Sequence, residues 1–203
     1  MLFAGIGLGL VAGLLAGGSL SNLVGVRLRL LPAIFAALLV RFGTELLIGN
    51  GVGFVEALRL PLFVGALTLL LAALWANRRQ PGMSLAFVGI LSNTIAIAIN
   101  GGRMPILLQS LQSLGLTEAD ARTTFHTVLD GTKTDFLAHV GPLTDIIPIP
   151  IVRDVASIGD IFLGIGLAFF LFATVVRPAD EPVETEPLDQ DAVNRRLVGL
   201  AAT

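Results

Sequence analysis

Four stretches of this chain run about twenty residues with almost no charge, the length an α-helix needs to cross the ~30 Å hydrocarbon core of a bilayer. Residues 2–24 are uncharged, but Gly17, Gly18 and Ser19 interrupt them. A first helix of roughly sixteen residues, about 24 Å at 1.5 Å per residue, is therefore expected to give way to an interfacial turn. Further helices are predicted over residues 30–48, 60–76, 83–99 and 155–176, making five. Pro32 and Pro61 fall near helix starts, where a missing N–H does no harm, while Gly49, Asn50 and Gly51, and the pair Pro81 and Gly82, read as turns. The fold class that follows is an all-α polytopic membrane helix bundle of five transmembrane helices.

Residues 100–154 form a long connection with a pattern of its own. From Pro105, the positions Ile106, Leu107, Leu108, Leu111 and Leu114 make an apolar face against Gln109, Ser110, Gln112 and Ser113, with Gly115 as a stop. That pattern predicts a short amphipathic helix lying on the membrane. Thr117 with Asp120 three residues later resembles a capping box, which predicts a second short helix from Glu118 to Leu129, ending at Asp130 and Gly131. Beyond it, the prolines at 142, 148 and 150 favour extended chain.

Composition narrows the class. With 54% apolar residues and a mean hydropathy of +0.85, the 203-residue chain is too apolar for an ordinary soluble domain. Its formal charge of -2 offers no basic field to a nucleic-acid backbone, so nucleic acid is not expected as a partner. The absence of cysteine rules out a disulfide, a thiolate nucleophile and any Cys-ligated metal. No basic region precedes the first apolar segment, which is read as a retained helix.

Arginines in the short loops set the expected orientation. Arg27 and Arg29, Arg78 and Arg79, and Arg177 with Arg195 and Arg196 all fall on one side, which the positive-inside rule makes cytoplasmic. The second connection offers only Arg59, offset by Glu56. The N-terminus and the 100–154 connection are then extracytoplasmic, and the C-terminus is inside. Residues 1–177 are taken as the bundle with its outer connection, and residues 178–203 as an acidic, disordered cytoplasmic tail.

Polar residues inside the predicted spans gather toward the outer end: Arg41 and Glu45, Asn93 and Asn100, and Asp154, Ser157 and Asp160. An Arg at a bilayer centre costs about 2.5–3.5 kcal/mol on insertion scales, so such a gathering predicts a protein-lined polar site. Asparagines that join helices through bonds worth about 0.6 kcal/mol, and charges that reach to the headgroups, are the structural alternative. The run Asn100, Gly101, Gly102, Arg103 combines a flexible backbone with a fixed cation, an arrangement suited to a phosphate or carboxylate ligand, and Arg41 and Ser157 are further candidate contacts. His126, His139, Asp145 and Asp160 are the candidate acid–base groups, with either histidine able to work beside Asp135 or Asp145. His126 and Asp130 would share a helical face, which with His139 makes a metal site conceivable, but no HExxH-like signature supports one and no metal is assigned. No residue pattern names a cofactor. Gly5, Gly9, Gly13 and Gly17 form a ladder for close helix packing, within the chain or against an oligomer or membrane-complex partner.

The motifs NGGRMP (100–105), DIIP (145–148) and SIGD (157–160) together resemble a family of uncharacterised bacterial integral membrane proteins, over about residues 1–176. Where that family's pattern has glycine before the DIIP aspartate, this chain has Thr144. The resemblance implies a bacterial cell membrane and a single unit made of the three motifs, and it implies no activity. Two functions remain in view. One is an outward-facing polar site that binds or processes an anionic or lipid-linked ligand, with membrane lipid as a partner. The other is a non-catalytic transport or assembly subunit of a larger membrane complex.

Overall fold

The computed structural model describes residues 2–121 and 125–177, so the acidic tail expected over residues 178–203 lies outside the described residues, as do Arg195 and Arg196. Five longer helices form the bundle: α1 (Leu2–Leu15), α2 (Leu31–Gly49), α4 (Arg59–Ala76), α5 (Met83–Ile99) and α9 (Ile158–Val176). A short α3 (Gly53–Ala57) lies between α2 and α4. By length and composition α2, α4 and α9 are long and apolar enough to cross a membrane, whereas α1 and α5 are apolar but shorter.

The five helices pack in the order α1, α9, α5, α4, α2, each mainly against its neighbours in that row. At one edge α2 leaves Phe35, Leu39, Phe42 and Leu46 exposed, and at the other α1 exposes Leu8 and Leu15. Water would penalise such surfaces, while lipid accepts them.

Helix α9 fits between α1 and α5 through missing side chains. A Cβ at Gly5 or Gly9 would collide with the backbone of Gly164 or Ala168, and one at Gly13 would meet Val175. On the other flank Gly89 lies against Gly159 and Leu163, and Gly82 against Gly166. The glycine ladder therefore receives α9 of the same chain. Gly17 is no part of that contact: it turns the chain at φ 85° with open space around it.

At the end of the bundle that carries the short basic loops, side-chain amides tie the connections together. Asn22 donates to the carbonyls of Val175 (2.8 Å) and Arg177 (2.7 Å). Buried Asn77 brackets Arg29, accepting from its N–H and donating to its carbonyl, both at 2.8 Å. Val26 and Leu28 pack there against Leu74, Met83 and Phe170.

The opposite end carries a cap. Strands β1 (Met104–Leu107) and β2 (His126–Leu129) pair in parallel, with Met104 opposite His126. Between them lie α6 (Leu108–Ser113) and α7 (Glu118–Ala121), and after them α8 (Lys133–Ala138). Strands β3 (Ile147–Ile149) and β4 (Asp154–Ala156) form an antiparallel hairpin leading into α9. Ile106, Leu111, Ala121 and Val155 make the cap's own core. Phe63, Ala96, Ile97 and Met104 join it to the bundle.

Two expectations for this connection are corrected. The amphipathic helix predicted from Pro105 begins only at Leu108, because the Met104 N–H bonds the Phe125 carbonyl and Pro105, which has no N–H, sits in β1. The helix predicted from Glu118 to Leu129 is described only over Glu118–Ala121, and the last four residues of the predicted span form β2 instead. A strand partner distant in sequence, with β-branched Thr127 and Val128, overrides the local helical pattern. His126 and Asp130 consequently share no helical face, and the metal geometry drawn from that spacing is lost.

Gly9→Leu and Gly13→Leu are expected to force α9 away and destabilise the fold by about 3 kcal/mol or more, seen as a lower unfolding temperature in detergent. Gly7, with open space about it, should accept Ala or Leu with little change. Equal tolerance at all three positions would contradict the α1–α9 contact.

Candidate functional site

NGGRMP and DIIP meet through their backbones, and DIIP pairs with the residue that precedes SIGD. The Asp145 N–H donates to the Pro105 carbonyl (3.0 Å) and the Asp145 carbonyl accepts from Leu107 (2.9 Å), so Asp145 joins the edge of β1. One residue on, Ile146 N–H donates to the Ala156 carbonyl (3.2 Å), directly before Ser157. Thr144 needs no glycine-like conformation, with φ -88°, and its buried hydroxyl donates to the Gly141 carbonyl (2.7 Å).

SIGD starts α9 as a capping box. The Asp160 N–H donates to Ser157 Oγ (2.9 Å), and the Ser157 N–H donates to Asp160 Oδ2 (3.2 Å). Asn93 on α5 completes the arrangement: its Nδ2 donates to Asp160 Oδ1 (2.8 Å), and its Oδ1 accepts from Ser157 Oγ (2.9 Å). Ser157, Asp160 and Asn93 thereby lock α9 to α5 and to the cap.

NGGRMP ends α5. Asn100 Nδ2 donates to the carbonyls of Ala96 (2.7 Å) and His139 (3.1 Å), while its Oδ1 is buried without a partner. Gly101 and Gly102 both have positive φ, and a Cβ at Gly102 would meet Arg59 and the backbone of Leu60. Arg103 donates to Glu56 Oε1 (3.2 Å), and Glu56 also accepts from buried Arg59. Among the described contacts, Arg103 touches neither Asp145 nor Asp160.

The groups that do converge are His126, Asp145 and Arg41. His126 Nε2 stands 3.7 Å from Asp145 Oδ2, beyond hydrogen-bond length and within reach of a small side-chain rotation. Asp145 is 3% exposed, and its Oδ1 is buried with no partner. The His126 side chain keeps 31% of its surface exposed. Arg41 pairs with Glu45 at 2.5 Å and lays its guanidinium 3.8 Å from the centre of the Phe125 ring and 4.7 Å from that of Phe63. His139 lies elsewhere in the cap, its Nδ1 3.1 Å from Asp135 Oδ1.

Environment separates the two acid–base groups. Burial, reinforced by the charges of Asp160 and Asp154, raises the Asp145 carboxyl well above its ordinary range. Burial, reinforced by Arg41 and opposed by Asp154, Glu45 and Asp160, lowers His126. Both shifts favour neutral forms, a carboxylic acid facing a neutral imidazole. This arrangement can hold and pass a proton. Among the described residues, no group of three or more His, Asp or Glu could hold a metal ion.

Sequence reasoning missed Glu56, Arg59, Phe63 and Phe125. Arg59 and Glu56 stand three residues apart in a short loop, a spacing that signals pairing but not burial. The aromatic residues that receive Arg41 gave no signal of their own.

The fold and site define a mostly helical protein with apolar helices suited to a membrane and a polar cap at one end. A model described as a family of unknown function, DUF5317, matches residues 25–172, and the chain belongs to that family. No curated protein and no solved structure matches it.

Stability in detergent should record the two shifts. The raised Asp145 contributes stability that is complete below its ordinary 3.8 and is lost as pH rises through its folded value. The lowered His126 contributes stability that is complete above its ordinary 6.5 and is lost as pH falls through its folded value. Asp145→Asn is expected to flatten the loss that accompanies rising pH and leave the loss on falling pH in place, as measured by thermal unfolding across pH.

Proposed function

We propose that this chain is a bacterial cell-membrane protein whose outer cap binds or processes an anionic or lipid-linked ligand over Asp145 and His126. The observation that carries the reading is the buried Asp145 carboxyl, its Oδ1 without a partner, facing a partly exposed histidine, with Arg41 beside them. Asp145 serves as the proton store, His126 as the exchanging group open to the outside, and Arg41 as the fixed positive field. Asn100, Gly101, Gly102 and Ser157 shape the floor of the cap, and Asp160 adds its negative charge to the burial that raises the Asp145 carboxyl.

All five longer helices cross the bilayer in this reading. At 1.5 Å per residue α1 is about 21 Å and α5 about 26 Å, short spans that local thinning of the bilayer accommodates. The N-terminus is outside, and residues 178–203 form a cytoplasmic tail. Support comes from the basic loops, which lie at the end of the bundle away from the cap. The glycine ladder, the surface best suited to a foreign membrane helix, is covered by α9, which weighs against an assembly subunit docking there.

Because the chain has no cysteine, single cysteines at exposed Ser113 and Arg79 give a clean test of orientation. An impermeant thiol reagent should label the first in intact cells and the second only after lysis. The reverse order would overturn the outward-facing site.

The ligand itself is tested by native mass spectrometry of the purified full chain. Asp145→Asn and His126→Gln are each expected to remove the same co-purifying anionic species while leaving the protein monodisperse. Retention of that species in both variants would defeat this reading.

A further inference from the structure

A second polar feature stands apart from the acid–base pair, at the start of α4. Arg59 is 4% exposed, and two of its guanidinium nitrogens, Nε and Nη1, are buried without a partner. Its one described hydrogen bond runs to Glu56, which Arg103 shares. Two cations thus lean on one carboxylate, leaving a net positive charge. A buried guanidinium with unmade bonds is costly, and an anion with more acceptor oxygens than a carboxylate would satisfy it better. Glu56 and Arg103 are both nearly half exposed, so the cluster opens at the surface.

Within the first turn of the same helix an apolar groove begins. It has a volume of about 670 Å³ and lies between α2 and α4, lined by Val40, Pro61, Leu62, Gly65, Thr68 and Leu69. Thr68 gives its hydroxyl to the Val64 carbonyl of its own helix (2.7 Å) and adds no free polar group to the groove. Gly65 has open space where a side chain would project. From Pro61 to Leu69 the groove follows α4 for about 12 Å. One leaflet of the hydrocarbon core is about 15 Å deep. A cationic cluster at the start of α4 and an apolar groove that runs most of a leaflet's depth along the same helix match the two parts of a charged lipid.

We propose that Arg59, Glu56 and Arg103, with the groove between α2 and α4 below them, bind one anionic phospholipid from the leaflet on the cap side. Its phosphate takes the place of the Glu56 carboxylate on the two guanidinium groups, and one acyl chain fills the groove. Glu56 acts as an internal stand-in for the phosphate, competing with it. The site requires α2 and α4 to be in the membrane and is independent of the Asp145 and His126 reading.

The test is native mass spectrometry of the full-length protein titrated with phosphatidylglycerol, phosphatidylcholine or inorganic phosphate. Phosphatidylglycerol should bind about tenfold more tightly than phosphatidylcholine, the equivalent of one charge-assisted bond. Arg103→Ala should abolish that preference, and Gly65→Leu, which projects into open space, should weaken both lipids. Glu56→Gln should strengthen phosphatidylglycerol binding by removing its competitor. Asp145→Asn should leave the preference unchanged, so a failure here and a failure of the acid–base site are told apart. Equal binding of the two lipids, weaker phosphatidylglycerol binding after Glu56→Gln, or full competition by inorganic phosphate alone would each overturn the proposal.

Discussion

The backbone-to-backbone approach of α9 to both neighbours is the constraint on which the rest of the structure rests. Lipid tails give helices no hydrophobic reason to associate, so packing must come from close van der Waals contact, which side chains at the crossing would prevent. Gly5 and Gly9 admit α9 on one flank, and Gly89 and Gly159 admit it on the other. The same crossing brings Asn93 against the first turn of α9, where it bonds both ends of the Ser157 and Asp160 capping box. A packing requirement in the bundle thereby fixes the direction in which α9 emerges and places β4 beneath the cap.

From that anchor the cap is built by short backbone pairings. Ala156 holds Ile146, Asp145 holds both Pro105 and Leu107, and Met104 holds Phe125. Asp145 is consequently placed by its main chain, and its side chain is free of any structural bond of its own. Asp160 and Asn93 are fully engaged in positioning, as Asn100 is through its amide nitrogen. The carboxyl left without such duties is the one whose chemistry the environment tunes.

Features with a local cause were legible in the sequence. The predicted span over residues 83–99 coincides with α5, and that over residues 30–48 differs from α2 by one residue, because apolar length, Pro32 and flanking glycines set those ends. The last helix was predicted from residue 155 by apolar length, whereas Ser157 caps it and it begins at Ile158; the S-x-x-D spacing is the start signal. Strand β2 was illegible, since its pairing with β1 depends on a contact no local pattern carries. Histidines beside Asp135 and Asp145 were candidates in the sequence; the structure places His139 Nδ1 3.1 Å from Asp135 Oδ1 and His126 Nε2 3.7 Å from Asp145 Oδ2, the second too long for a hydrogen bond. Burial of Arg59 was not, because it arises from Gly102 closing over the α4 terminus.

The polar end divides its charges by the company each keeps. Arg41 faces two aromatic rings and Glu45, and Arg103 and Arg59 share Glu56, so these three cations lean on two carboxylates. Asp145 faces a histidine, with Asp154 and Asp160 as its nearest influences in charge, and neutralisation by a proton is the cheaper solution in so dry a place. The histidine beside it is held neutral by the same dryness and by Arg41. Asp145 is thus walled from solvent by the cap's packing, while the imidazole beside it stays partly open.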